Sequence, residues 1–133
     1  MRSILVIFIL VLVGCTKPED SVAISLLSGK WQLIERKHTI LGEVQQDQLD
    51  ACELQTYFVF NQSQATYFQY ELDDENHCKQ EIKVFDYTLQ NEVFTLMYNG
   101  ELMVGTYTIT GDVLLLHFLT EEDKTTLVLH RHN

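Results

Sequence analysis

The chain has 133 residues, 46% of them hydrophobic and 21% charged, which suits one globular domain. It carries 9 Lys+Arg against 19 Asp+Glu, a formal net charge of −10. That acidity argues against nucleic acid and anionic lipid head groups as partners.

The N-terminus reads MRSILVIFILVLVG, with one charge at Arg2 and an apolar run over residues 4–13. A run of about 10 residues is too short for a membrane span, which needs ~20. It fits the apolar region of a secretory signal. The run ends in Leu12-Val13-Gly14-Cys15, which resembles the lipobox of bacterial lipoproteins. That resemblance implies a diacylglycerol on the Cys15 thiol, cleavage before Cys15 and acylation of the new amine. The alternative is a short membrane anchor with an incidental cysteine. Two or more acyl chains make a stable attachment. Residues 16–21 (TKPEDS) then read as a polar tether. Lys17, Glu19 and Asp20 loosely resemble the surface-export signal of Bacteroidota lipoproteins. The expected location is the bacterial outer membrane, facing the periplasm or the cell surface. The expected division is a signal peptide over 1–14, the lipidated cysteine and tether over 15–26, and the folded domain over 27–133.

Removal of residues 1–14 leaves 8 Lys+Arg against 19 Asp+Glu, a balance of −11. A chain of this size buries a core without staples. The full chain has 3 cysteines. With Cys15 assigned to lipid, Cys52 and Cys78 remain as a pair. An oxidising envelope makes a disulfide the expected state. It would close a loop of ~27 residues and contribute about 3 kcal/mol. A zinc site is the rival reading, but only His77 adjoins this widely spaced pair.

From Ser28 onward the pattern is that of strands: dense aromatic and β-branched residues, breaks about every ten residues, and no proline after Pro18. Eight strands are predicted, over 30–39, 55–60, 64–72, 80–89, 92–98, 101–109, 112–120 and 123–132. All connections are short except 40–54. Consecutive strands on short turns form an antiparallel meander, and eight are enough to close it into an up-and-down barrel. Residues 21–28 are expected to add a short helical turn.

The turns predict the register. A turn at Asn99-Gly100, where both residues tolerate positive φ, sets Leu96 against Met103 and Phe94 against Gly105. A turn at Thr110-Gly111 sets Tyr107 against Leu114. A turn at Glu121-Glu122 sets Phe118 against Thr125 and Leu116 against Leu127. A turn at Gln62-Ser63 makes Phe58 and Tyr67 partners. Opposed residues share a face, so one face collects Phe94, Leu96, Met103, Gly105, Tyr107, Ile109, Leu114, Leu116, Phe118, Leu127, Leu129 and Arg131. This face is taken as the interior. The outer face of the last two strands carries Val113, Leu115, Leu119 and Val128. Such a patch calls for a cover, either the helical segment 21–28 or a partner: a second copy or another protein.

Gly29-Lys30-Trp31 opens the first strand and Arg131 closes the last. Lipocalins carry G-x-W in this place, with an arginine late in the last strand packed over the tryptophan. The chain therefore resembles the lipocalin-like lipoproteins common in Bacteroidota, over about 27–131. The resemblance implies an all-β, eight-stranded barrel closed at one end by Gly29, Trp31 and Arg131. The alternative is that Trp31 and Arg131 are unrelated residues.

Catalytic constellations are not evident, and a non-enzyme is expected. His130 and His132 share a face with His117, but the register separates His117 from His130 by ~13 Å. The acidic loop Asp73-Asp74-Glu75-Asn76-His77 lacks the glycine and the bidentate glutamate of a calcium loop. Neither a metal nor a cofactor is expected. What remains is shape, since a closed barrel of this size holds one small apolar ligand or is filled by its own side chains. The candidate lining is Phe58, Tyr67, Phe94, Met103, Tyr107, Leu116 and Phe118, and core packing is the competing reading of each. The expectation is thus a lipid-anchored envelope protein that binds or carries a small hydrophobic ligand. The alternative is a filled barrel that serves as a non-catalytic interaction module.

Overall fold

The computed structural model describes residues 18–119 and 123–133. Its elements are helix α1 (Pro18–Leu27) and nine strands: β1 (Gly29–Ile40), β2 (Glu43–Gln46), β3 (Tyr57–Phe60), β4 (Gln64–Leu72), β5 (Cys78–Gln90), β6 (Val93–Tyr98), β7 (Glu101–Thr110), β8 (Val113–Leu119) and β9 (Asp123–His132). Strands β1 and β3–β9 pair antiparallel in chain order, and β9 returns to pair with β1. The result is a closed eight-stranded barrel, with β2 appended to β1.

Hairpin chemistry accounts for the order. Asn91 and Asn99 turn with positive φ of 57° and 50°. Asparagine tolerates this region better than most side chains. The Tyr98–Glu101, Leu96–Met103 and Phe94–Gly105 pairs form as the Asn99-Gly100 turn predicts. The Phe58–Tyr67 pair forms, and so do Leu116–Leu127 and Phe118–Thr125. The β7–β8 turn departs from expectation: Thr110 pairs with Val113, so Gly111-Asp112 is the turn. Tyr107 therefore opposes Leu116, not Leu114. The slip is two residues, so every side chain keeps its face.

Strand β2 corrects the reading of 40–54 as one long connection. It pairs only with the far half of β1, through a turn at Leu41-Gly42. Leu41 holds φ 51° there, and its side chain is fully in solvent. A leucine in the left-handed region is uncommon, which is why its sequence gives no turn signal. Gln55, read as the start of the second strand, instead ends a 3-10 turn, Glu53–Gln55. The turn packs between β1 and β4, filling the wall where β3 is too short to reach.

The interior holds Trp31, Leu33, Phe58, Phe60, Phe85, Phe94, Leu96, Leu114, Leu116 and Leu129, all buried. Gly105 is a packing necessity at its pair with Phe94. A Cβ there would lie 2.3 Å from the His117 carbonyl oxygen and 2.7 Å from the Phe94 ring. Met103, expected in the interior, is instead 42% exposed near the end of its strand.

Helix α1 starts at Pro18, inside the segment read as a polar tether. Leu27 is buried in the main core, and Ala23 and Ile24 pack against it. The helix therefore covers one barrel end, not the outer patch of Val113, Leu115 and Val128. Those three are half-buried by their neighbours on the sheet, while Leu119 is exposed. Cys15, expected to carry lipid, lies outside the described residues.

Candidate functional site

The two barrel ends differ. At the α1 end, Trp31 pairs with Arg131 and is fully buried. Its indole Nε1 donates to the Leu27 carbonyl at 2.7 Å. The Arg131 guanidinium lies 4.2 Å over the indole ring, a cation–π contact. Its Nη1 donates to the Ser28 carbonyl at 2.9 Å and its Nη2 to the Leu26 carbonyl at 2.5 Å. A cation at a helix C-terminus satisfies carbonyls that the helix leaves free and opposes the negative end of its dipole. Gly29 joins helix to strand at φ +123°, and a Cβ there would press on Arg131 at 3.2 Å. One indole and one guanidinium thus tie the helix, the first strand and the last strand together.

The opposite end is open. There a cleft of about 330 Å³ lies against β4–β7, lined by Tyr67, Lys83, Phe85, Leu96, Tyr98, Glu101 and Met103. Strand alternation brings these side chains together: Tyr67 pairs with Lys83, Leu96 with Met103 and Tyr98 with Glu101. Phe58 stacks under Tyr67 at 4.4 Å, and Phe85 meets Tyr98 at 5.3 Å. The floor is apolar, and the rim is polar. Burial pushes the Tyr67 hydroxyl up, with nearby Arg36 opposing, so the group stays neutral. Lys83 Nζ is engaged by Glu81 at 3.2 Å and by the Gln69 amide oxygen at 3.4 Å.

A β-bulge in β1 adds polar groups to this end. The register shifts between Leu33 and Glu35, so Ile34 is the extra residue. Past it, Arg36 opposes Leu127 and His38 opposes Thr125, which turns both toward the interior. Arg36 Nε donates to Asp47 Oδ2 at 2.5 Å and Nη2 donates to Glu53 Oε1 at 2.7 Å. His38 Nε2 lies 3.1 Å from the same Asp47 oxygen. The Arg36 hydrogen bond holds the Asp47 carboxyl below the usual carboxylate range, against the opposing effect of burial. The 47–55 segment is thereby bound to the barrel wall. The Cys52–Cys78 disulfide joins the same segment to the start of β5.

Of the seven candidate lining residues, Tyr67 and Met103 line the cleft. Phe58, Phe94 and Leu116 are buried in the core, and Phe118 packs edge-on against Phe94 at 5.1 Å. Tyr107 shares their face but sits at the α1 end, near Ala23, Leu26 and Ile109. Its hydroxyl donates to the Asn91 carbonyl at 3.1 Å. Alternation identifies a face but not a depth, and the α1 end is filled. Lys83, Phe85, Tyr98 and Glu101 were legible from parity alone. Arg36 and His38 were not, because the bulge reverses parity.

Among the described residues no group of three or more His, Cys, Asp or Glu is placed to hold an ion. Asp73 of the acidic loop is engaged with its own chain. Its Oδ1 accepts from the amides of Glu75 and His77 at 2.9 and 2.8 Å, and Lys79 Nζ reaches Oδ2 at 2.7 Å.

Comparison with solved structures finds similar chains at low sequence identity. A fluorescent protein, a mutant of UnaG, is 10% identical over 83% of this chain and 99% of that one, with a TM-score of 0.45. A redesigned beta barrel, mFAP1 bound to DFHBI, is 16% identical over 82% and 98%, with a TM-score of 0.44. A structure of unknown function from Bacteroides ovatus is 13% identical over 79% of this chain and 42% of that one, with a TM-score of 0.42. No curated protein matches the sequence. A family model described as a lipocalin-like domain matches residues 27–114, which is most of the barrel from the α1 C-terminus into β8. With that match over more than half of its length, the chain belongs to the lipocalin-like domain family.

Proposed function

We propose that this is a non-catalytic, lipid-anchored bacterial envelope protein whose barrel binds a small hydrophobic molecule at its open end. The observation that carries the ligand reading is the cleft of about 330 Å³ with Phe85, Leu96 and Met103 among its walls and Tyr67, Lys83 and Glu101 among its polar groups. Its volume falls at the lower end of the range of small-ligand sites, and an apolar body with a few convergent polar groups is their usual chemistry. The anchor rests on Cys15 and the apolar run before it.

The ligand reading is tested with Nile red, an uncharged environment-sensitive dye, titrated into the full chain. One saturable site is expected, and Met103→Trp, which fills the cleft from an already exposed position, is expected to weaken it at least tenfold. Equal uptake by both proteins, or no uptake by the parent, refutes the reading. The anchor is tested by the mass of the N-terminal peptide from native membranes, where an unacylated Cys15 refutes it.

The second reading is an interaction module whose barrel is largely filled. The tight packing of Phe58, Phe94 and Leu116 favours it, and an unchanged dye spectrum on titration is its expected outcome.

A further inference from the structure

The outer wall of the barrel is uneven in its charge. Outward positions on β4–β7 are those opposed in register through Thr66–Val84, Phe68–Ile82, Asp86–Met97, Thr95–Val104 and Met97–Leu102. All of them belong to the described residues, and Asp86 alone among them is charged. In a chain of net charge −10 such a face stands out. Threonine and apolar residues occupy most of the rest. Ile82, Val84, Met97, Leu102, Val104 and, on β8, Leu119 are each between 47% and 63% exposed. They form one area: Met97 pairs with Leu102 on the next strand. Leu119 follows Phe118, whose partner Gly105 follows Val104.

We infer that this face joins two copies of the chain in a symmetric dimer. Area supports a macromolecular occupant. The six side chains expose roughly 600 Å² of largely apolar surface, and the threonines among them bring the face close to the ~800 Å² per partner of a standard interface. That is at or above the largest patch an ordinary monomer leaves in water. Charge selects the occupant. Two copies of a molecule this acidic repel each other over most orientations, and the outward positions of this face set only one carboxylate of each copy, Asp86, near the other. A patch that is apolar on one copy is apolar on the other, so a twofold axis makes it self-complementary. Two such sheet faces can stack about 10 Å apart. A bilayer surface is favoured instead by lysines, arginines and tryptophan. The outward positions of β4–β7 include no lysine or arginine, and Trp31, the chain's one tryptophan, is buried. The cleft lies on the inner side of the same strands, with Leu96 and Met103 alternating with Met97, Leu102 and Val104. The dimer would therefore brace the cleft wall, whether or not the cleft is occupied.

The test places a photo-crosslinking amino acid at Met97 in the full chain, in the cells that produce it, with Lys37 on the outer face of β1 as the control position. Illumination is expected to give an adduct of twice the chain's mass from position 97, containing only this sequence, and none from position 37. Val104→Glu, a substitution at a half-exposed site, is expected to cut the yield at least tenfold with the melting temperature little changed. If that variant melts early, Leu102→Asp replaces it. No adduct at position 97, an adduct only with another protein or with lipid, or a yield indifferent to a folded charged variant overturns the inference.

Discussion

Replacing Arg131 with alanine tests the account of the closed end most directly. The substitution removes two charge-assisted hydrogen bonds, to the Ser28 and Leu26 carbonyls, and the cation–π contact with Trp31 at 4.2 Å. A hydrogen bond to a charged group contributes ~1.5–3 kcal/mol when buried, but the Arg131 side chain is 25% exposed. Water reaches part of the guanidinium and replaces part of what is lost, so each bond is discounted to about 1 kcal/mol. The cation–π contact adds about 0.5–1 kcal/mol. The expected loss is about 2–3 kcal/mol, or a fall in Tm on the order of 10 °C for a domain of this size. Arg131→Lys keeps the charge but not the planar fork, so it should recover less than half. The assay is urea denaturation followed by the far-ultraviolet signal and, separately, by Trp31 emission. Trp31 is the chain's one tryptophan, so its emission reports this end alone and should shift to the red in native Arg131→Ala. A loss under 0.5 kcal/mol together with an unmoved emission maximum refutes the reasoning.

Gly105→Ala should cost about 1–3 kcal/mol, because the added methyl meets the His117 backbone at 2.3 Å and the Phe94 ring at 2.7 Å. Phe94→Leu in the same chain should relieve only the part owed to the ring, which a double-mutant cycle measures. Opening the Cys52–Cys78 disulfide, by reduction or by Cys52→Ala with Cys78→Ala, should cost about 3 kcal/mol in urea denaturation. A loss near zero would mean that the 47–55 segment is held well enough by Arg36. Asp47 has its folded-state pKa depressed below 3.8, chiefly by the Arg36 hydrogen bond. Its contribution is therefore complete above about pH 4 and lost as pH falls through the folded value. The urea midpoint of Asp47→Asn should be lower than the parent's at pH 6, and the gap should close toward pH 2. His117 behaves in the same sense at higher pH. Burial, then Lys124, depresses its pKa below 6.5, so stability should decline as pH falls below that value, and His117→Gln should flatten the decline.

Much of the fold was legible in the chain itself. Short turns at polar pairs order the strands as a meander, and period-two alternation assigns each residue to a face. That assignment survives even the two-residue slip at Gly111-Asp112, because a shift of two conserves parity. The pairing of Cys52 with Cys78 followed from a count, once Cys15 was set aside. Local pattern carries no information about depth along a barrel. Phe94, Leu116 and Tyr107 share a face with Met103, yet Met103 alone of these lines the cleft. Depth depends on where α1 plugs the barrel, and a helix of ten residues against a barrel end is a long-range contact. Nor did any signal mark the bulge at Ile34, whose single extra residue turns Arg36 and His38 inward. The turn at Leu41-Gly42 was hidden because a leucine occupies a conformation that tertiary pairing imposes on it. Sequence thus determined strand order, faces and closure, which are local and periodic. Only the closed barrel decided which end is sealed, which polar groups reach the mouth, and which exposed apolar wall is left with a single charge.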